Sequence, residues 1–302
     1  MTTRRRWLPD LVLLLTAAIW GFAFIAQRSG MEAMGPFTFN ATRFLVGGVT
    51  LWLVSRTFPR QLTAPQDPAG TTRKTLWLGG ILTGLVLFTG ASLQQVGLVE
   101  TDAGKAGFIT GMYVVLVPIL GLVIGKRTSL FNWIGAVLAA VGLYLLMVTG
   151  DLSIARSDLL VLIGALVWAV HVHLVGHFSP RIGAIRLAVT QFLICGMISL
   201  GVALTVEQPT WSQLLVGIWP LVYASFLSVS IAYTLQVVAQ QWADPAHAAI
   251  ILSLEGAFAA LGGWLILGED LGLRGLLGAG IMLVGMLVSQ IIIKENSAIT
   301  QP

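Results

Sequence analysis

Ten times along the chain, a run of about twenty residues passes with almost no charge, and this repetition constrains the fold more than any other feature. The runs lie near 9–27, 36–55, 76–97, 103–124, 130–149, 158–177, 184–205, 214–239, 245–267 and 273–293. A helix needs roughly 20 apolar residues to cross a bilayer core, and these runs are near that length. Of the 302 residues, 56% are hydrophobic and 10% are charged, whereas a soluble domain carries about 25% charged residues to wet its surface. The expected fold is an all-α polytopic membrane protein with ten transmembrane helices. The longest polar connection runs from about Arg56 to Lys74, too short for a separate soluble domain.

Lysine and arginine set the orientation. With the N-terminus in the cytoplasm, twelve fall inside: Arg4, Arg5, Arg6, Arg56, Arg60, Arg73, Lys74, Lys126, Arg127, Arg181, Arg186 and Lys294. Arg28, Lys105, Arg156 and Arg274 fall outside, and Arg43 lies within a run. This asymmetry predicts both termini on the cytoplasmic side of a cell membrane. The positive net charge is spread over run ends, so it reads as an orientation signal and no nucleic-acid partner is expected.

The chain also repeats itself. DLVLLLTAAIW at Asp10–Trp20 returns 148 positions later as DLLVLIGALVW at Asp158–Trp168. At the same offset Thr42-Arg43-Phe44-Leu45 matches Thr190-Gln191-Phe192-Leu193. Leu93-Gln94 matches Leu235-Gln236, Asp102 matches Asp244, and Gly135 and Gly142 match Gly278 and Gly285. Two five-helix repeats follow, residues 8–149 and 157–293. Five is odd, so the second repeat enters the membrane inverted, an arrangement typical of secondary transporters with a site near the midplane. The Arg4-Arg5-Arg6 stretch and the run after it imitate a signal peptide, but the pattern recurs at Asp158, so the first copy is read as a structural helix. Asp10 and Asp158 suit the positive ends of helix dipoles. Ten residues on, at about 1.5 Å each, Trp20 and Trp168 reach roughly 15 Å depth from opposite sides. They line something central there, or they are aromatics packed in a helical core.

Several chemistries find no support. The single cysteine, Cys195, lies in an apolar run, so no internal disulfide or iron–sulfur site is expected. Lys126 lacks the glycine six positions earlier that a phosphate-binding loop requires, that position being Leu120. No cofactor is expected.

AAIWGFAFIA in the first run, ATRF in the second, GFITGMYVVLVPILGLVIG in the fourth and LSLEGAFAALGGWLILGE in the ninth occur in order within two five-helix halves. In this the chain resembles the drug/metabolite transporter superfamily, specifically its EamA-type members, over roughly residues 8 to 293. It departs from the familiar pattern at Gly256, where a proline often follows the glutamate, and at Gly125-Lys126-Arg127, where an acidic residue is common. The resemblance implies a ten-helix bundle without ATP-driven machinery, its central cavity lined mainly by helices 1, 3, 4, 6, 8 and 9, with 5 and 10 more peripheral. It implies a carrier of metabolites, amino acids or drug-like solutes, often moved outward, and not an enzyme.

The candidate substrate-binding residues are Trp20, Arg43, Gln94, Tyr113, Trp168, His171, Tyr233, Gln236 and Glu255. Glu255 lies near 14 Å depth by helix rise. A carboxylate is costly there and is a functional candidate by default; release and uptake of its proton during transport would give proton coupling. The competing reading is a protonated glutamate that fixes helix packing. Arg43 lies near 10 Å depth and either snorkels or pairs structurally, or clamps a carboxylate or phosphate with its fork. His171 shares a helix face with Trp168, one turn away. His173 and His177, four apart, offer a metal-carrier alternative without an evident third ligand. Gln94 and Gln95, Tyr113, Tyr233 and Gln236 are polar handles in apolar runs, as in small-molecule sites, and Gln236 is the repeat mate of Gln94. The glycines of Gly107–Gly111 and Gly121–Gly125 read as close-packing positions, and Pro118 between them as a place where the fourth run bends. The overall expectation is a secondary carrier of small solutes working by alternating access. A membrane-embedded enzyme or sensor would need a nucleophile, metal set or signalling domain that the chain does not show.

Overall fold

A computed structural model describes residues 7–57, 72–101, 103–126, 128–147, 155–262, 264–265 and 272–290. Arg4 to Arg6, Arg60, Asp102, Arg127 and Lys294 of the charge and repeat patterns lie outside them. Each of the ten runs is helical. We number them α1 (Trp7–Ala33), α2 (Pro36–Val54), α3 (Arg73–Gly97), α4 (Ala103–Gly111 and Tyr113–Val123), α5 (Leu130–Met147), α6 (Arg156–Ile182) and α7 (Ala184–Val206). The last three are α8 (Trp211–Val216, Ile218–Val222, Tyr223–Tyr233 and Thr234–Ala239), α9 (Pro245–Leu252 and Glu255–Gly262) and α10 (Gly272–Gln290).

Local chemistry sets the ends. Thr72 caps α3 by accepting from Thr75 N at 3.0 Å, and Asp244 caps α9 by accepting from Ala246 N at 2.9 Å, with Pro245 at the first helical position. Gly183 takes φ 92°, which a side chain would resist, and this lets α6 turn into α7 across one residue. The first helix of each repeat begins a little before its aspartate. Asp158, the third residue of α6, reaches back to accept from the N-cap Ala155 N at 2.8 Å.

Outward faces are apolar, with Val123 77%, Leu130 69% and Leu204 62% exposed. Such faces suit lipid and not water. Nine of the described helices are long and apolar enough to span a membrane, and Leu130–Leu146 is a shorter apolar helix beside them. The chain is a multi-pass membrane protein.

Two reciprocal crossings organise the bundle. Where α2 meets α7, the repeat mates Phe44 and Phe192 lie 6.2 Å apart. A Cβ on Gly48 would sit 3.2 Å from Leu193, and one on Gly196 would sit 2.8 Å from Leu45. Each contact is the image of the other under the 148-residue offset. Where α5 meets α10, a Cβ on Gly142 would lie 2.6 Å from the Gly278 carbonyl, and one on Gly135 2.8 Å from the Gly285 carbonyl. Equivalent helices thus cross antiparallel on themselves, as a two-fold axis in the membrane plane demands. Small residues let these backbones touch, and close packing supplies association where lipid removes the hydrophobic drive. The other glycines divide: Gly111 packs on Leu143, whereas Gly125 has φ 76° and open space around it, ending α4 rather than packing it.

The helices nearest the centre are irregular. In α4 the hydrogen bonding tightens to three-residue steps at Met112 N to Ile109 O and Val115 N to Met112 O. In α9 it does so at Leu254 N to Ile251 O and Gly256 N to Ser253 O. These breaks are repeat mates, 142 positions apart. The bend expected at Pro118 therefore sits about a turn and a half earlier, and Pro118 lies inside an intact segment. In α8 the stretch Tyr223–Tyr233 is wound as a π-helix, with Ser230 Oγ donating to Ser225 O at 2.9 Å.

Candidate functional site

The irregular segments converge on one cavity. Its wall holds Trp20, Phe24 and Gln27 from α1, Arg43 from α2, Gln94 from α3 and Thr110 and Tyr113 from α4. Trp168 and Val172 from α6, Ser228, Tyr233 and Gln236 from α8, and Leu252 and Glu255 from α9 complete it. The breaks explain the placement: Tyr113 and Glu255 are each the first residue of the segment after a break, and the π-wound turn carries Ser228 and Tyr233. Broken and π-wound helices are where bundles commonly build sites.

The two tryptophans flank a tyrosine. Trp20 lies 4.5 Å from the Tyr233 ring and Trp168 6.1 Å from it, with Phe44 and Phe192 each 5.9 Å away behind. Trp20 Nε1 donates to Ser228 O at 3.4 Å, and Trp168 Nε1 to Gln94 Oε1 at 2.8 Å. The Glu255 carboxyl faces the Tyr113 hydroxyl without a well-formed hydrogen bond. Arg43 is 2% exposed, so it does not snorkel. Its Nη1 donates to Gln27 Oε1 at 3.0 Å, and its guanidinium lies over the Phe39 and Phe44 rings at 5.4 and 4.8 Å. Free space is about 40 Å³. A water needs roughly 10–15 Å³ by this measure, so a metabolite enters only if the walls move apart.

Of the nine candidate residues, eight line this cavity, and His171 does not. Its ring is edge-on to Trp168 at 5.6 Å, as the shared helix face predicts. It turns to α7 because Gln191 Oε1 lies 2.9 Å from its Nε2. His173 turns to α4, with Nε2 2.8 Å from Val117 O, and His177 is exposed. The three histidines thus diverge, and the described residues hold no cluster of three metal-type side chains. Gln95 is buried behind the wall and donates to Gln27 O at 3.2 Å. Helix α2 joins the lining through Arg43, beyond the six helices expected; α5, α7 and α10 stay out of it.

Of the lining residues that sequence reasoning missed, Gln27 is the one bonded to Arg43. Its Oε1 also accepts from Gln94 Nε2 at 3.4 Å, so Arg43, Gln27, Gln94 and Trp168 form one continuous polar chain. A polar residue seven positions after Trp20 is a faint signal, and its repeat mate Val175 gives no echo.

The chain is 30% identical to a protein of Archaeoglobus fulgidus named "Uncharacterized transporter", covering 94% of this chain and 86% of that one. It is 27% identical to the threonine/homoserine exporter RhtA of Escherichia coli strain K12, covering 98% and 95%. A crystal structure with 17% identity superposes with a TM-score of 0.75 over 95% of this chain and 98% of that one, a likeness of fold alone. The model of the EamA-like transporter family matches residues 7–148 and again 155–290, and on that match the chain belongs to the EamA-like transporter family.

Proposed function

We propose that this transporter is a secondary carrier, exporting small metabolites and foremost amino acids by alternating access. Residues 8–149 and 157–293 would act as the two halves, with both termini in the cytoplasm. The observation that carries the reading is the cavity itself. Symmetry-related breaks in α4 and α9 meet at it, and its wall combines aromatic rings with a cation, a carboxyl and three amides. Apolar surface with a few orienting polar groups suits a small amphiphilic solute. The name of the 27% identical relative, a threonine/homoserine exporter, agrees with that chemistry.

Glu255 is 4% exposed and faces one hydroxyl. A carboxyl so placed can carry a proton across as the cavity changes sides. Radiolabelled amino-acid counterflow and uptake in reconstituted vesicles, with and without a pH gradient, test both parts. Counterflow of at least one solute, and uptake driven by the gradient, are expected. Glu255→Gln keeps counterflow and loses the response to the gradient. Absence of flux for any metabolite overturns the carrier, and an unchanged gradient response in Glu255→Gln overturns proton coupling.

A further inference from the structure

Arg43 is a cation without a counter-ion. Among the described residues no aspartate or glutamate bonds it, its hydrogen-bonded partner is the neutral amide of Gln27, and its Nε is buried with no partner. The flanking Phe39 and Phe44 faces soften the charge without cancelling it. An uncompensated charge inside a membrane protein is expensive and is kept only where something uses it. A glutamate in place of Gln27 would satisfy the guanidinium internally. The glutamine instead fixes one edge of the fork and leaves its charge available.

Resting on the reading that this cavity carries the solute, we infer that Arg43, positioned by Gln27, is an anion subsite that takes the carboxylate of the transported molecule. The charge count selects a monoanion: Arg43 is the one cation in the lining, so it matches one negative charge and would leave a dianionic phosphate half-compensated. Gln27 is a positioning residue. Its Oε1 also accepts from Gln94, which in turn accepts from Trp168, so the anion end of the solute is mechanically tied to the aromatic wall.

The test measures binding separately from transport. The purified full-length protein is melted in the presence of L-amino acids as free acids, and of the same compounds as methyl esters and primary amides. Counterflow of the same panel is measured in vesicles. Free acids should stabilise the wild type and be carried, with the esters and amides, which lack the carboxylate, weaker by about tenfold or more. Arg43→Gln should abolish the acid-to-ester preference in both assays, and Arg43→Lys should retain part of it. Gln27→Glu, nearly the same size, should lose acid binding because it supplies Arg43 with an internal partner; a merely structural role for Gln27 would leave the preference untouched. Acids and esters that bind equally well, or a preference that survives Arg43→Gln, overturn the subsite while leaving the carrier standing. Stronger binding of phosphorylated amino acids also overturns it. Acid-selective binding with no flux leaves the subsite standing and removes the carrier.

Discussion

His247 Nε2 lies 2.9 Å from Asp10 Oδ1, joining the first turn of α9 to the first turn of α1. At the opposite end of the bundle Asp158, the repeat mate of Asp10, accepts from the Thr101 hydroxyl at 3.1 Å at the approach to α4. Each half thus fastens its first helix to the fourth helix of the other half, once at each membrane face. An imidazole, itself 3.2 Å from Ser289 of α10, holds Asp10, and the Thr101 hydroxyl is one of the groups that hold Asp158.

Removing His247 as His247→Ala leaves the Asp10 carboxylate without this partner and removes the hydrogen bonds that tie the start of α9 to α1 and α10. Thermal unfolding in detergent should show a loss of about 1–3 kcal/mol. Thr101→Val should cost less, about 1 kcal/mol, since it removes one hydroxyl donor to Asp158, whereas His247 joins two partners. Equal costs for the two would contradict the described contacts.

The α5–α10 crossing leaves no room for a methyl group. Gly142→Ala places Cβ about 2.6 Å from the Gly278 carbonyl, and overpacking of this kind costs about 1–3 kcal/mol. Gly280, on the same helix pair, has nothing within 4 Å of a built Cβ. Gly280→Ala should therefore leave stability unchanged or raise it by about 0.5–1 kcal/mol through helix propensity. Paired melting curves of the two variants decide whether the helices cross here.

Trp168→Phe keeps an aromatic wall and removes the indole donor to Gln94. Stability should fall by about 1–2 kcal/mol as Gln94 Oε1 loses its partner, and solute affinity should fall with it because the polar chain to Arg43 is cut. An unchanged affinity would separate Trp168 from the site.

Much of this was legible in the sequence, because a membrane restricts the choices. Ten apolar runs became ten helices, since only intrahelical bonding satisfies the backbone in lipid. The repeat offsets paired Phe44 with Phe192, and Gly135 and Gly142 with Gly278 and Gly285, but that helices α2 and α7, and α5 and α10, cross at these residues was seen only in the structure. Buried polar residues flagged most of the cavity wall. The breaks in α4 and α9 were not legible: Met112 and Leu254 are ordinary helix formers and give no sign of the three-residue steps found there. Thr110 and Ser228 pass for small packing residues, and they line the wall because the helices there are broken or π-wound. His171 shared the right face with Trp168, yet a partner on another helix, Gln191, drew it away. A pattern along one helix cannot anticipate such a partner.

Access to the cavity tests the central claim most directly. A cysteine placed at Ser228 in a Cys195→Ala background can be labelled with a membrane-impermeant thiol reagent, applied separately to right-side-out and inside-out vesicles. The account predicts labelling from both sides, slowed from each side when a transported solute is present. Labelling from one side alone, with or without solute, would contradict it.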